Sequence, residues 1–425
     1  MEPALLIVIL AMVALVATVL IRTFTMSVTM DKAPPPPVAG LPSFDVKAAS
    51  ERLAAAVRIP TVTGADVAVF QTLHAHLREA FPRVHATLDC ETLHGRSLLY
   101  TWRGRDPTAH PILLLAHLDV VPADPETADD WTHPPFSGLI TDTAIWGRGT
   151  LDDKQSTLGL LEAVEALLRT GYQPRRTIVM AFGHDEETGG QGAQALAAHL
   201  REAGMHFAFA LDEGMAVTEG MLAGIDVPAA LVGTAEKRSF NVRLVVDGQG
   251  GHTSMPPAHT AIGRLSTAIH RLERHPRPLR WTPPVRQMFA ALAPAMTWGH
   301  RIAFANLWLV GGLIKRTLAS TPRTRAIVQT TTAASIIHAG VKANVLPARA
   351  EAVINCRILP GETAQQMVDH VRTVIDDPAV RVEPMDRVQD APSAVADVTG
   401  PSYRTLAGTI RQIFPDAVVA PALVT

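Results

Sequence analysis

Glu186 and Glu187 stand side by side at the end of an apolar, β-prone segment, Arg176 to Phe182, and Gly189, Gly190 and Gly192 break the chain before a helical pattern resumes. Two carboxylates at the mouth of a buried strand repel each other and lose hydration, so a cation is expected beside them. Three other places offer it ligands. The apolar run Ile112 to Ala116 ends at His117-Leu-Asp119, Phe207 to Leu211 ends at Asp212-Glu213, and Asp152-Asp153 follows the turn Trp146-Gly-Arg-Gly149 and opens a helical pattern at Lys154. Each has an ordinary reading. A His-x-Asp is mostly chance, Asp152-Asp153 is a usual helix N-cap, Glu186-Glu187 before glycines is a solvated turn, and Asp212 caps a turn. Their conjunction is far more specific, because ligands of open α/β sheets bind beyond the carboxyl ends of the strands. One imidazole among hard oxygen donors suits zinc, with manganese or cobalt as substitutes, and excludes a thiolate site. Three ligating carboxylates and a bridging hydroxide balance two divalent cations. Such a pair, about 3.5–4 Å apart, acidifies a shared water, and one carboxylate must stay unligated to carry its proton.

The elements that would present these groups alternate. Val46 to Val57 and Val67 to Ala80 read as helices, and Ile112 to Ala116 as a fully buried strand. Leu158, Leu161, Val164 and Leu168 fall at helical spacing within Gln155 to Arg169, Ile178 to Phe182 is a second buried strand, and Ala193 to Ala203 a further helix. This predicts an α/β sheet with helices on both faces. After residue 234 the style changes to β-α-β-β-α-β. Phe240 to Asp247 is a strand, Ile262 to Leu272 a helix stripe, Ala326 to Leu346 and Glu351 to Ile358 strands, Ala364 to Ile375 a helix, and Val380 to Val382 a strand. That order is the ferredoxin-like α+β plan. The extra apolar run Ile302 to Ile314 is too short to span a membrane and reads as a buried or interface helix. The α/β style returns after Asp386. The expected organisation is an N-terminal segment 1–22, a Pro-rich linker 23–43, a catalytic domain in two parts (44–234 and 387–425), and an inserted domain 235–386.

Bulk properties narrow the function. A chain of 425 residues with formal charge −2 has no electrostatic footprint for nucleic acid. Cys90 and Cys356 suit reduced, buried thiols. Pro3 to Ile21 is almost wholly apolar, and at about 1.5 Å per residue it reaches roughly 28 Å, enough to cross a bilayer core. An uncleaved membrane anchor is the first reading, followed by a cleaved signal that would leave a secreted or periplasmic body, and then a soluble helix. Arg22 and Lys32 after the span would place the body in the cytoplasm, although the orientation stays open.

The sequence resembles the di-zinc aminoacylase and carboxypeptidase family that includes acetylornithine deacetylase and succinyl-diaminopimelate desuccinylase, most of all its carboxypeptidase S and Gly-X carboxypeptidase branch. The motifs are Leu115-Ala-His-Leu-Asp-Val-Val-Pro122, Trp131 with Pro135-Phe-Ser-Gly138, Trp146-Gly-Arg-Gly-Thr-Leu-Asp-Asp-Lys154 and Gly183-His-Asp-Glu-Glu187. The resemblance implies a zinc metallopeptidase or amidohydrolase acting on a peptide or N-acyl amino acid. His117 would bind one metal, with Asp119 orienting its ring. Asp152, joined to Asp153 by a cis peptide, would bridge both metals. Glu186 would be the general base, and Glu187 and Asp212 further ligands. The inserted domain would act as a lid, and whether it also pairs in a homodimer stays open. On it His252 would stabilise an oxyanion, and Asn344 and Arg357 would contact the substrate.

One departure stands out. The family takes its last metal ligand, a histidine, from a segment after the final strand, and no histidine follows His370 here. The expectation is a fragment of a longer chain or a shortened protein, poorly active as it stands. The alternative function is therefore an inactive or weakened scaffold that binds ligand without turnover, although an intact Glu186 argues against it. Serine hydrolase chemistry is excluded, since no Gly-x-Ser-x-Gly elbow follows any strand.

Overall fold

The computed structural model describes residues 3–26, 42–388 and 391–425. Most of the linker expected over 23–43, including Pro34 to Pro37, lies outside the described residues. The N-terminal apolar stretch forms helix α1 (Pro3–Thr25), which runs past Arg22 and is long and apolar enough to cross a membrane.

The chain divides into two compact units, one of residues 38–213 and one of 1–37 with 214–425. In the first, α2 (Val46–Val57), α3 (Val67–Ala80) and α4 (Pro82–Thr87) precede a hairpin of β1 (Asp89–Leu93) and β2 (Ser97–Trp102), then β3 (Ile112–His117). The short pair β4 (Leu139–Ile140) and β5 (Ile145–Trp146) leads to α5 (Lys154–Arg169), β6 (Ile178–Gly183), α6 (Gln191–Glu202) and β7 (Phe209–Leu211). The sheet order is β1-β2-β6-β3-β7. β3 lies parallel to β6 and β7, while β2 is antiparallel to β1 and β6, which makes the sheet mixed.

Alternation along β6 explains the helices on both faces. Met180 and Phe182 pack with Phe70, Leu77, Leu158 and Leu161, whereas Val179 and Ala181 pack with Leu196 and Leu200 of α6. The sequence reading did not single out the hairpin, although every residue of β2 is buried. Its Cys90 is exposed, contrary to expectation, because β1 is the edge strand, while Cys356 is buried. Two polar ties anchor α5. Glu162 accepts from Arg52 Nη2 at 2.7 Å, and the sealed Lys154 donates through Nζ to Ala56 O at 2.9 Å and Ile59 O at 2.6 Å. Burial pushes the Lys154 amine down to about 7.

In the second unit, β8 (Val217–Thr218), β9 (Ala229–Glu236), β10 (Arg238–Asp247) and β11 (Gly251–His252) are followed by α7 (Ala261–Arg274). A helical insertion follows, of α8 (Pro283–Leu292), α9 (Trp298–Ala305), α10 (Leu307–Leu318) and α11 (Pro322–Val328). The chain continues through β12 (Thr331–Ala339), β13 (Val345–Leu346), β14 (Arg349–Ile358), α12 (Ala364–Ile375), β15 (Val380–Pro384), α13 (Pro401–Ile413) and β16 (Val418–Val424). The antiparallel sheet β12-β14-β10-β15, with α7 and α12 packed in one core, is the βαββαβ plan read from the sequence. The run expected as one strand from Ala326 is helical at its start, because Thr321 caps α11 and Pro322 occupies its first position.

Strands β16, β9 and β8 form their own sheet, in which β16 runs parallel to β9, and Val285, Phe289 and Leu423 share a core. Segments 214–234 and 391–425 therefore fall in the unit that holds the insertion, not with 44–213.

Leu161 has no exposed surface and lies at the centre of the core beneath the sheet. Leu161→Ala is expected to cost about 2–5 kcal/mol, read as a lower urea midpoint at an unchanged slope.

Candidate metal centre

The register of the parallel strands aligns their carboxyl ends. His117 of β3 stands opposite Gly183 of β6, and Leu114 opposite Leu211 of β7, so the loops that follow leave one edge of the sheet together. His117 is 2 % exposed. Its Nδ1 lies 2.9 Å from Asp119 O and 3.3 Å from Asp119 Oδ1. That contact makes Nδ1 the donor nitrogen and turns Nε2 outward, the arrangement of a metal-binding imidazole. Nε2 lies 2.8 Å from Asp152 Oδ1 and 3.3 Å from Glu213 Oε1.

Asp119 is fully buried and organises more than the ring. It accepts from Thr63 Oγ1 at 2.7 Å, from Glu186 N at 3.1 Å and from Glu187 N at 3.3 Å. The turn after β6 is held from its other side by Asp185, which accepts from Gln191 N and Gly192 N and so caps α6. At Gly192, the second residue of α6, a Cβ would come within 2.9 Å of Asp185 Oδ1 and closer still to Ser97 Oγ and His184 Nδ1, so a larger residue would displace those side chains.

Asp152 and Asp153 sit at the entrance of α5, joined by the cis peptide that the resemblance implied. Asp153 holds the N-cap position without capping the helix. Its Oδ2 accepts from His117 N at 3.2 Å, and its Oδ1 is buried with no protein partner. The ordinary capping role is thus set aside in favour of the strand end.

Donor atoms of His117, Glu186 and Glu187 lie within 4.8 Å of one another, as do those of His117, Asp153 and Glu213. Asp212, expected in this set, joins neither group. Its Oδ1 folds back to accept from Glu213 N at 3.0 Å, and both residues line a small cavity with Leu114, Ser156 and Leu160. Glu213 lies beside His117. The sequence signal for it was the adjacent acid in Asp212-Glu213; the signal for Asp153 was the doubled aspartate.

Electrostatics reflects an excess of carboxylates. Burial raises Glu186, helped by Glu187, Glu213 and Asp119, and burial with the charge of Asp152 raises Glu187. Burial pushes Asp153 up to about 7, and raises Asp212 as well. Burial also opposes ionisation of Asp119, but hydrogen bonds from His117 and Thr63 outweigh it and hold the carboxyl below its usual range. For His117, burial opposes the charge, yet hydrogen bonds to Asp119 and Glu213 outweigh it and push the imidazole up to about 12. One imidazole amid six carboxylates, with an orphaned Asp153 oxygen, is a donor set that fits divalent cations. Beside it a cleft of about 630 Å³ is lined by Leu53, Trp131, Ile145, Trp146 and Leu151, with Asp152 and Glu187 in its wall.

The residues expected to touch substrate lie in the other unit. His252 on β11 pairs with Val345 on β13, which brings it beside Asn344 on one two-stranded ribbon; Thr253 N donates to Asn344 O at 3.3 Å. The exposed His252 ring meets Ser254 Oγ at 2.8 Å. Arg357 is exposed on β14, opposite Ser239 and Thr331, and so belongs to the larger sheet.

Comparison with known proteins places the chain in a family. Residues 113–422 match the model of peptidase family M20/M25/M40. The chain is 39% identical over 422 residues to the N-fatty-acyl-amino acid synthase/hydrolase PM20D1 of Xenopus tropicalis, covering 97% of this chain and 82% of that protein. It is 42% identical over 358 residues to "Probable carboxypeptidase S-like 2" of Dictyostelium discoideum, covering 83% and 68%. In fold it is similar to the M20 family metallo-carboxypeptidase Sso-CP2 of Sulfolobus solfataricus, with TM-score 0.64 and 15% identity over 88% of this chain and 85% of that one. With an M20 motif set, an M20 fold and curated hydrolases among its relatives, the chain belongs to peptidase family M20/M25/M40 and is a hydrolase.

Proposed function

We propose that the protein hydrolyses the amide bond of an N-acyl amino acid or of the C-terminal residue of a peptide, using two zinc ions and Glu186 as the general base. The observation that carries this reading is the His117 Nε2 atom, set 2.8 Å from Asp152 and 3.3 Å from Glu213, with Glu186 and Glu187 closing the group. His117, Asp152, Glu187 and Glu213 would hold the metals, and bound divalent ions would supply Lewis acidity and a more acidic water. Glu186, whose backbone is fixed by Asp119, takes a proton from the attacking water and delivers it to the departing amine as the C–N bond breaks. His252, Asn344 and Arg357 would bind the oxyanion and the substrate carboxylate. The names of the two curated relatives point to fatty-acyl amino acids and to peptides respectively. The aromatic and aliphatic wall of the cleft suits a bulky apolar group on either. We further propose that α1 is retained as a membrane anchor and that the exposed edge strand β12 supports a homodimer. A scaffold that binds without turnover is not favoured by membership in a hydrolase family.

Glu186→Gln is expected to lower kcat by about 10²–10⁴-fold while metal content, measured by mass spectrometry, stays the same. Loss of metal together with activity would make Glu186 a ligand instead of a base. Glu213→Ala should weaken metal binding strongly, whereas Asp212→Ala should leave it nearly unchanged; the reverse order would restore Asp212 as the ligand.

Metal affinity should also depend on pH. With its pKa raised in the metal-free site, His117 is protonated at neutrality, and a metal must displace that proton. Binding should therefore strengthen from about pH 6 to about pH 8 and release protons, as read by calorimetry in buffers of different ionisation enthalpy. A flat profile without proton release would remove His117 from the site.

A further inference from the structure

The insertion α8–α11 shows an unusual surface. On α10 the outward stripe is Trp308, Leu309, Gly312, Leu313 and Arg316, and it faces solvent, with Trp308 53%, Leu309 49% and Leu313 67% exposed. Trp298 at the start of α9 is 47% exposed. Such an apolar stripe on a soluble surface marks a contact with something apolar.

The neighbouring element identifies that contact. The last turns of α1 are clamped onto α9 and the start of α10. Arg301 Nε donates to Thr23 O at 3.2 Å, the buried Asn306 donates through Nδ2 to Thr23 Oγ1 at 3.2 Å and to Val19 O at 3.3 Å, and Phe24 packs against Trp298 with ring centroids 5.3 Å apart. The clamp also satisfies a last-turn carbonyl of α1, which has no partner within its own helix. The rest of α1 is wholly apolar and exposed. A span leaving the bilayer at Thr25 would hold Trp298 at headgroup level, where tryptophan concentrates, and lay α10 along the same boundary.

Charge agrees. From Arg274 to Ala350 the chain has eleven Lys and Arg and no Asp or Glu, and Arg316, Arg323 and Arg325 of α10 and α11 are exposed. Basic side chains flanking an apolar face match an anionic lipid surface.

We infer that α9–α11 form a platform that lies on an anionic lipid bilayer at the foot of α1, with the apolar stripe of α10 immersed among the headgroups and upper acyl chains. This rests on the reading of α1 as a retained span, and two separate readouts divide the two ideas. The full-length chain is reconstituted into vesicles of phosphatidylcholine with phosphatidylserine as the minor component. Carbonate extraction reports on α1, and quenching of tryptophan emission by brominated acyl chains reports on the platform.

The expected result is a chain that resists extraction, with quenching that falls by about twofold in the Trp298→Phe/Trp308→Phe double variant, since Trp102, Trp131 and Trp146 lie in the other unit and the half-buried Trp281 packs into the core with its indole on Gly311 O. Leu309→Glu/Leu313→Glu, at exposed positions that spare the core, should reduce quenching to a similar extent with both tryptophans in place. A chain that stays with the membrane but is quenched equally in wild type and both variants refutes the platform and leaves the span standing. A chain released by carbonate refutes the span, and the platform with it.

Discussion

A fully buried carboxylate must be satisfied on every side, and in this protein that requirement falls on Asp119. Its oxygens take hydrogen bonds from Thr63, from two consecutive backbone amides and from the His117 ring. Those partners belong to three separate segments: the loop after α2, the end of β3 and the turn after β6. A buried anion left without them would cost several kcal/mol, so the three segments are fixed relative to one another at the edge of the sheet. The orientation of the imidazole and the spacing of the adjacent glutamates both follow from that constraint.

Beneath it, the sheet supplies coarse alignment and the helices supply stiffness. Parallel pairing of β3 with β6 and β7 delivers the strand ends to one edge. Lys154 and the Arg52–Glu162 pair tie α5 to the exit and body of α2, which holds the aspartate pair at the helix entrance in place. Neither lysine contact involves a carboxylate. Two peptide carbonyls stabilise an amine that burial has made less basic.

Much of this was legible in the sequence, and the exceptions share a cause. Apolar runs ending in acids located β3 and β6, because strand burial and the polarity of loop residues are local properties. The choice between Asp212 and Glu213 was not local. Once the chain leaves β7 at Leu211, alternation no longer sets side-chain direction, and a turn in which Asp212 caps the next amide leaves Glu213 beside His117. The grouping of β8, β9 and β16 in a separate sheet was equally hidden, since pairing between segments nearly two hundred residues apart leaves no periodic trace. The start of α11 was legible in Thr321-Pro322, yet the β-branched residues after it dominated the pattern.

The uneven distribution of charge has a practical corollary. Eleven of the 38 basic side chains, and none of the 40 acidic ones, fall between Arg274 and Ala350, while the whole chain has a pI near 6.8. A segment of this kind can bind anionic surfaces through its exposed Arg316, Arg323 and Arg325 whatever the net charge of the chain. The protein should be retained by a cation-exchange resin at a pH where a uniform protein of the same pI would flow through.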